Sequence, residues 1–248
     1  MGAETGYNEI GEKRFGKSEV KVMQQTTTET VKRGSPFWAA EIKEVADEEP
    51  PKILWNKDEY YRLSDLGFFN GKRVELIEGE IFVKYEYVEF DKGDYEMSAM
   101  SSLHFSGVNV AAEVLREVFK KKYFVSVQCP INMGERSEPE PDISIIEGTA
   151  RNFKEAIPET AALVVEISDT SLLYDRSKKA SLYARAAIQD YWIVNLKDRR
   201  LEIYRRPMKD DAAFYGFSFG EIQIHTEKDS VSPLAAPNAK IKVADLLP

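Results

Sequence analysis

The chain has 248 residues, with 34 lysines and arginines against 42 aspartates and glutamates, which gives a formal net charge of -8. Hydrophobic residues make up 43% and charged residues 31%, a balance that excludes whole-chain disorder, collagen and coiled-coil arrays. The acidic balance argues against broad coating of nucleic acid but leaves room for a local basic groove. The length suits one domain of about 150–200 residues plus a tail, or two small domains.

The cysteine and histidine content restricts the kind of metal site that the chain can build. Cys129 is the single cysteine, which excludes a disulfide framework and any zinc site made of cysteine clusters. The two histidines, His104 and His225, are too few to complete a structural His/Cys site. A metal site must therefore consist mostly of carboxylates, which favours Mg²⁺, Mn²⁺ or Ca²⁺.

The sequence carries no signal for a membrane or for export. No run approaches the roughly 18–20 apolar residues of a membrane span, and no secretory apolar region follows the start. The first six residues resemble a myristoylation signal, but position 6 is glycine where serine or threonine is required. We therefore expect a cytoplasmic protein with no membrane partner.

The N-terminal fifth of the chain differs from the rest in its composition and in its pattern of apolar residues. Residues 1–51 have scattered charges and no sustained apolar period, and they end in the acidic, proline-containing segment 47–51. This composition predicts a mobile tail or linker with one short helix near residues 37–45. Residues 52–248 are predicted to form a single domain.

The predicted elements follow the order helix, hairpin, helix, three strands, helix and hairpin. Apolar steps of three and four predict the helices, with Ser101 or Ser102 as an N-cap, and short apolar runs between turns predict the strands. This order favours a mixed α/β sheet with helices packed on it. The predicted helices cover residues 57–66, 105–122 and 175–187, and the predicted strands cover 74–81, 82–83, 124–128, 142–146, 163–168, 191–196 and 200–205.

Two carboxylates stand in these apolar runs. Glu166 lies inside the run 163–168, which is typical of a central strand covered on both faces, and Asp142 opens the preceding run. A buried carboxylate is costly unless it is paired or binds a metal. Taken singly, Asp142 suits a strand start and Glu166 suits a partner for a buried arginine such as Arg185. Together, at the ends of neighbouring strands, the two acids suit a Mg²⁺ ion.

Three further residues are candidates for the same site. Lys179 shares a helical face with Tyr183, which directs its ammonium toward the sheet, although an exposed pair with Asp175 at i,i+4 is the alternative. Glu75 alternates with apolar neighbours in the first hairpin, which is typical of a solvent-facing glutamate. His104 directly precedes a helix, where a histidine is more often a cap or a hydrogen-bond partner than a ligand.

Several stretches, in their order along the chain, resemble the Uma-two family of bacterial restriction endonuclease-like proteins. They are Glu75-Leu-Ile-Glu-Gly-Glu80, Pro141-Asp142-Ile143, the segment 164–168 and the block 174–185. That family is placed in the PD-(D/E)XK nuclease superfamily, and the resemblance runs from about residue 52 to 248. It implies an α/β, restriction endonuclease-like core with a central mixed sheet flanked by helices. The composition of the residues before it predicts a disordered or extended N-terminal tail.

The resemblance also implies roles for the candidate residues. By position, Asp142 would be the metal-binding aspartate and Glu166 the second acid. Ser168 stands where the superfamily usually has its lysine, and Lys179 resembles the variant in which that lysine has moved to the following helix. Glu75 would be an additional metal-binding acid.

The activity implied by the resemblance is hydrolysis of phosphodiester bonds by a metal-dependent endonuclease. The expected cofactor is Mg²⁺ or Mn²⁺, and the expected partner is nucleic acid, with DNA as the substrate. His104 matches a histidine common in the family, to which no role is assigned. Many nucleases of the superfamily act as dimers, so a homodimer is a further expectation.

Local positive charge is the expected means of DNA contact. Candidates are residues 120–122 at the end of the second helix and Arg199, Arg200, Arg205 and Arg206 in the last predicted hairpin. Each of these residues is equally typical of a solvated surface. No helix is basic enough to be predicted as one that binds in a DNA groove and recognises the base sequence.

Two other functions stay open at this point. One is a non-catalytic nucleic-acid-binding or regulatory module on the same fold. The other is a sugar hydrolase that uses Asp142 and Glu166 as acid and base, chemistry that requires neither a metal nor Lys179.

Overall fold

The computed structural model describes residues 52–90, 94–97, 101–120 and 122–248, without the side chains of 85–90 and 94–97. The predicted mobile tail over residues 1–51, with its short helix near 37–45, lies outside them. The strands are β1 (Lys72–Ile77), β2 (Glu80–Phe90), β3 (Asp94–Met97), β4 (Tyr123–Val127), β5 (Ile143–Glu147), β6 (Leu163–Ser168), β7 (Asp190–Asn195), β8 (Arg200–Lys209), β9 (Phe217–Thr226), β10 (Ser230–Val231) and β11 (Ile241–Lys242). The helices are α1 (Lys57–Asp65), α2 (Ser102–Val118), α3 (Leu172–Tyr174), a π-helical turn (Asp175–Lys179) and α4 (Ala180–Arg185), with 3₁₀ turns at Ala150–Phe153 and Val243–Leu246.

A six-stranded mixed sheet forms the centre of the described domain. Its strand order is β4-β5-β6-β7-β8-β9, and every neighbouring pair is antiparallel except the parallel pair β6–β7. A parallel pair needs a crossover connection, which α3, the π-helical turn and α4 provide. Every residue of β6 and of β7 is buried, as expected for strands covered on both faces.

Helix α2 covers one face of this sheet. Side chains such as Val165, Ile167 and Trp192 point to that face and join one apolar cluster with α2 and the C-terminal segment. Gly107 allows the close approach, because a Cβ there would lie 2.8 Å from Ile167 Cγ2. The Oγ of Ser101 accepts a hydrogen bond from the backbone of the third helical residue at 3.0 Å, which confirms the predicted N-cap.

Helix α4 covers the opposite face, where the packing is largely aromatic. Tyr183 lies 4.9 Å from Tyr191 between ring centroids, and Tyr191 in turn contacts Tyr204 and Phe219. Val164 points to this face, in agreement with the strand alternation expected from the sequence.

Strands β1, β2 and β3 form a separate antiparallel sheet. A bridge between Leu76 and Glu138 joins β1 to the segment that leads into β5. The early hairpin therefore lies next to the start of β5, which matters for the site described below.

The predicted elements match the observed ones with a few differences. The second long helix ends at Val118, and the third begins at Leu172 and passes through a π-helical turn. Strands β3, β10 and β11 were not predicted as strands. Within the described residues, no helix combines the length and the apolar character that crossing a membrane requires.

Candidate functional site

A cavity of about 450 Å³ opens where the early hairpin, the start of β5, the end of β6 and the π-helical turn meet. Its wall is rich in charge, and five of its lining residues are acids. The acids are Glu75, Asp142, Glu166, Asp169 and Asp175, and the basic lining residues are Lys84, His104 and Lys179.

Asp142 sits one residue before β5, and its carboxylate links two strands. The backbone N–H of Ile167 donates to Asp142 Oδ2 at 2.9 Å, which holds the side chain at the end of β6. The other oxygen, Oδ1, lies 3.3 Å from His104 Nε2 at the start of α2. The carboxylate is buried and yet lines the cavity.

Glu166 lies beside Asp142 on β6. Its Oε1 accepts hydrogen bonds from Lys179 Nζ at 2.8 Å and from Tyr183 Oη at 2.7 Å. Its Oε2 lies 3.3 Å from the backbone N of Asp142, which donates to it. Lys179 and Tyr183 therefore fix one oxygen of this carboxylate from the crossover helix.

Glu75 reaches the cavity from β1. Only 1% of the residue is exposed, and its Oε1 lies 3.4 Å from Lys179 Nζ and 3.4 Å from Tyr174 Oη. The backbone N–H of Glu140 donates to its Oε2 at 3.1 Å. Lys179 thus bridges two carboxylates that come from different sheets.

The π-helical turn places Asp175 and Lys179 in the same wall. Both residues are buried, and both line the cavity. Helical turns of this kind occur mostly as short bulges and often at functional sites. Ser171 Oγ donates a hydrogen bond to Asp175 Oδ2 at 2.6 Å, which holds this side chain in place at the start of the π-helical turn.

The electrostatics of the site separate its two central acids. Burial raises the pKa of Glu166 to about 7. Burial would also raise the pKa of Asp142, but the positive charges of Lys84 and His104 hold it below its usual range. Burial would lower the pKa of Lys179, but the surrounding acids, Glu166 first, raise it instead.

All five residues singled out from the sequence therefore line one cavity. The expectation that Glu75 faces solvent is wrong, because β1 packs against the segment before β5. The alternative of an exposed Asp175–Lys179 pair is also wrong, since both residues are buried. Arg185 does not serve Glu166 as its alternative partner and pairs with Glu78 instead.

Three lining or supporting residues were missed in the sequence. Tyr183 carried a signal, because it lies four residues after Lys179 on the same helical face. Tyr174 precedes the π-helical turn, which no sequence pattern indicated. Lys84 lies on β2, and its contact with Asp142 depends on how two sheets meet.

Residue 121 lies outside the described residues, and the other residues proposed for DNA contact are not part of the cavity lining. Arg205 forms an ion pair with the fully buried Asp190 at 2.8 Å, so its role in the fold is structural. Arg199 pairs with Glu227 on the surface. Arg206 is exposed, as solvated surface arginines are.

The donor chemistry of the cavity suits a hard, oxygen-seeking cation. Over the ranges described above, no group of three or more His, Cys, Asp or Glu side chains is arranged to hold a metal ion by itself. Mg²⁺, however, usually takes one or two carboxylates and completes its shell with water and substrate phosphate oxygens. Asp142 and Glu166 supply two such carboxylates from adjacent strands, so the residues fit the ion.

Comparisons with known proteins identify a family and a shared fold. A family model, Uma2, described as "Putative restriction endonuclease", matches residues 58–239, which is more than half of the chain. No curated protein matches the sequence. A crystal structure of a "putative nuclease belonging to DUF820" from Anabaena variabilis ATCC 29413 is 16% identical and has a TM-score of 0.52, covering 77% of this chain and 97% of that chain. At this identity the likeness shows a shared fold, and it confirms the predicted restriction endonuclease-like architecture.

Proposed function

The chain belongs to the Uma2 family of restriction endonuclease-like proteins, and from this premise we propose that it is a metal-dependent endonuclease that hydrolyses phosphodiester bonds in DNA. The observation that carries the proposal is the pairing of Asp142 and Glu166. They are buried acids on adjacent strands that line one cavity together with Lys179. Acids gathered in this way cost free energy of folding, so a functional reason for keeping them is required.

Asp142 and Glu166 would hold Mg²⁺ or Mn²⁺, together with the backbone carbonyl of Ile167. When bound, the ion supplies positive charge that activates water and neutralises the phosphate. Glu75 would complete the acidic wall as a further ligand or would order the water around the ion.

Lys179 would act on the phosphate and on the carboxylates at once. Its ammonium lies 2.8 Å from Glu166 and 3.4 Å from Glu75, so it holds both acids in place. A positive charge fixed beforehand in a buried site stabilises charge that develops during the reaction. Tyr183, through its 2.7 Å hydrogen bond, would keep Glu166 in one orientation.

The test is a cleavage assay on supercoiled, linear and single-stranded DNA and on RNA. Each substrate is incubated with Mg²⁺, with Mn²⁺ and with EDTA. Wild-type protein is compared with Asp142→Asn and with Asp211→Asn, which makes the same chemical change at an exposed position. We expect metal-dependent cutting of DNA that is lost in Asp142→Asn and kept in Asp211→Asn. Cutting that persists in EDTA, or in Asp142→Asn, would contradict the proposal.

A second candidate is a nucleic-acid-binding module without catalysis. It is favoured by the lack of a ready three-ligand cluster in the described residues and by the pairing of the acids with Lys179 and His104. Calorimetric titration with Mn²⁺ separates the two functions. A nuclease should bind the ion in wild type and lose it in Asp142→Asn, whereas a pure binding module should show DNA binding and no ion binding.

A further inference from the structure

One lysine of the cavity wall lies at an irregularity in the pairing of the early hairpin. Along the pairing of β1 with β2, Arg73 faces Tyr85 and the next residue, Val74, faces Val83. Lys84 is thus an extra residue on β2, as in a β-bulge. Bulges break the alternation of a strand and often re-aim a side chain beside a functional site.

The residues around the bulge line the cavity. Phe82, Val83 and Lys84 are consecutive, and all three belong to the cavity wall. Because alternate residues of a strand point to the same face, Lys84 lies on the side of β2 that Phe82 occupies, and Val83 is the residue that departs from the alternation.

Lys84 is held there in a largely enclosed place. Its side chain is 11% exposed, and its Nζ lies 4.0 Å from Asp142 Oδ1 and donates a hydrogen bond to the backbone carbonyl of Glu140. Enclosing an ammonium costs free energy, which a single ion pair at 4.0 Å offsets only in part. The lysine thus keeps donor capacity that faces the cavity.

The cavity wall carries more acids than bases, so a phosphate would need the positive charge of Lys84. The five acids of the wall repel a phosphate, and among the described residues of this wall the basic ones that oppose them are Lys84, Lys179 and His104. Lys179, which would act on the phosphate at the metal site, divides its charge between two carboxylates at 2.8 and 3.4 Å. Lys84 has the longer ion pair of the two lysines of this wall, at 4.0 Å from Asp142 Oδ1.

We propose that Lys84 is a phosphate-binding residue, which contacts a backbone phosphate of the nucleic acid at the mouth of the cavity. The proposal rests on the proposed function for the identity of the ligand. It assigns substrate binding to a residue of the β-bulge, separate from the acids that would hold the metal. A lysine that contacts phosphate raises affinity for any sequence and releases bound counterions.

The test measures DNA binding instead of cleavage. A short fluorescein-labelled DNA duplex is titrated with protein in EDTA over a series of salt concentrations, and binding is followed by fluorescence anisotropy. The variants are Lys84→Gln, which removes the charge, and Lys84→Arg, which keeps it. Lys154→Gln is the matched control, because it removes the same charge from an exposed lysine outside the cavity.

We expect Lys84→Gln to lower affinity about tenfold at low salt and to reduce the slope of log K against log salt by about 0.9, the value for one phosphate contact. Lys84→Arg should restore the slope, and Lys154→Gln should leave it at the wild-type value. Thermal unfolding of each variant checks the fold, and Lys84→Met, which keeps the apolar stem, replaces Lys84→Gln if that variant is unstable.

The outcomes separate this inference from the proposed function. An unchanged slope in Lys84→Gln, or a wild-type protein that does not bind the duplex, overturns the inference, while metal-dependent cleavage can still stand. A reduced slope in a protein that cuts no substrate would keep the phosphate contact and remove the nuclease.

Discussion

Buried acids occur in two regions of the central sheet, and their surroundings differ. Asp190, at the start of β7, is fully buried and accepts hydrogen bonds from Arg205 Nε at 2.8 Å, Trp192 Nε1 at 2.9 Å and the backbone of Leu234 at 2.8 Å. It borders none of the cavity. Glu166, on the neighbouring strand, is equally buried but faces the cavity and other acids.

Glu202 on β8 extends the comparison. Burial would raise its pKa, but hydrogen bonds from Arg176 and Asn195 lower it below its usual range. Burial raises the pKa of Glu166 to about 7, even with Lys179 at 2.8 Å. The direction of the shift therefore separates Glu202, which the fold supplies with positive charge, from Glu166, which the fold leaves short of it.

Burial of a carboxylate therefore does not by itself indicate a functional site. Asp190 and Glu202 are paired with arginines, which always carry charge and match a carboxylate with two donors. Glu166 shares one lysine with Glu75 in a wall of five acids. An excess of acids around a cavity is the property that calls for a cation from outside the chain.

The largest expected effect is on cleavage. Glu166→Gln should lower the rate by about a thousandfold, or ~4 kcal/mol, because the ion that the acid would hold contributes several kcal/mol to the transition state. Glu202→Gln makes the same change at an acid that is paired with Arg176 and lies away from the cavity. The Glu202→Gln protein that folds should cleave at the wild-type rate. Equal losses in the two variants would erase the distinction between the regions. Single-turnover cleavage measures both.

Stability should respond in the opposite order. Asp190→Asn should lower the free energy of unfolding by about 3–4 kcal/mol, because it leaves the largely enclosed guanidinium of Arg205 without its charged partner. Glu166→Gln should cost little, since Lys179 still faces Glu75 at 3.4 Å. Urea unfolding in EDTA measures both variants. A large loss in Glu166→Gln would show that its role is structural.

The raised pKa of Glu166 predicts how the stability of the protein depends on pH. The pKa of Glu166 is raised from 4.5 to about 7, so the folded state binds more protons than the unfolded state between these values. Stability of the metal-free protein should therefore fall by about 3 kcal/mol as pH rises through this window, and level off above it. Glu166→Gln should lack this fall. Parallel curves for the two proteins, from urea unfolding at several pH values, would contradict the shift.

Much of the framework could be predicted because it is encoded by neighbours along the chain. The run around Glu166 is apolar enough to predict a central strand, and alternation placed its side chain on the face of Val164. The steps of three and four in α2, and the serine that caps it, are equally local. The two acids stood out because a charge in such a run is costly to bury.

Other features could not be predicted, for the reason that they depend on contacts between distant segments. Glu75 follows the same alternation as a solvent-facing residue, and only the packing of β1 beside Glu138 buries it. Lys84 lies in the cavity wall because β2 of the three-stranded sheet comes close to Asp142 at the start of β5. The π-helical turn before Ala180, which aims both Asp175 and Lys179 inward, has no periodic signature that distinguishes it from an α-helix.

Most of the elements, the mixed α/β class and the identity of the central acids followed from the sequence, because periodicity and burial cost act over a few residues. The tertiary structure alone decided which charges meet. A shift of one residue in strand register turns a side chain to the other face. The distances that unite Glu75, Lys84, Asp142 and Lys179 therefore depend on register and crossover geometry, which residues far apart in the chain set together.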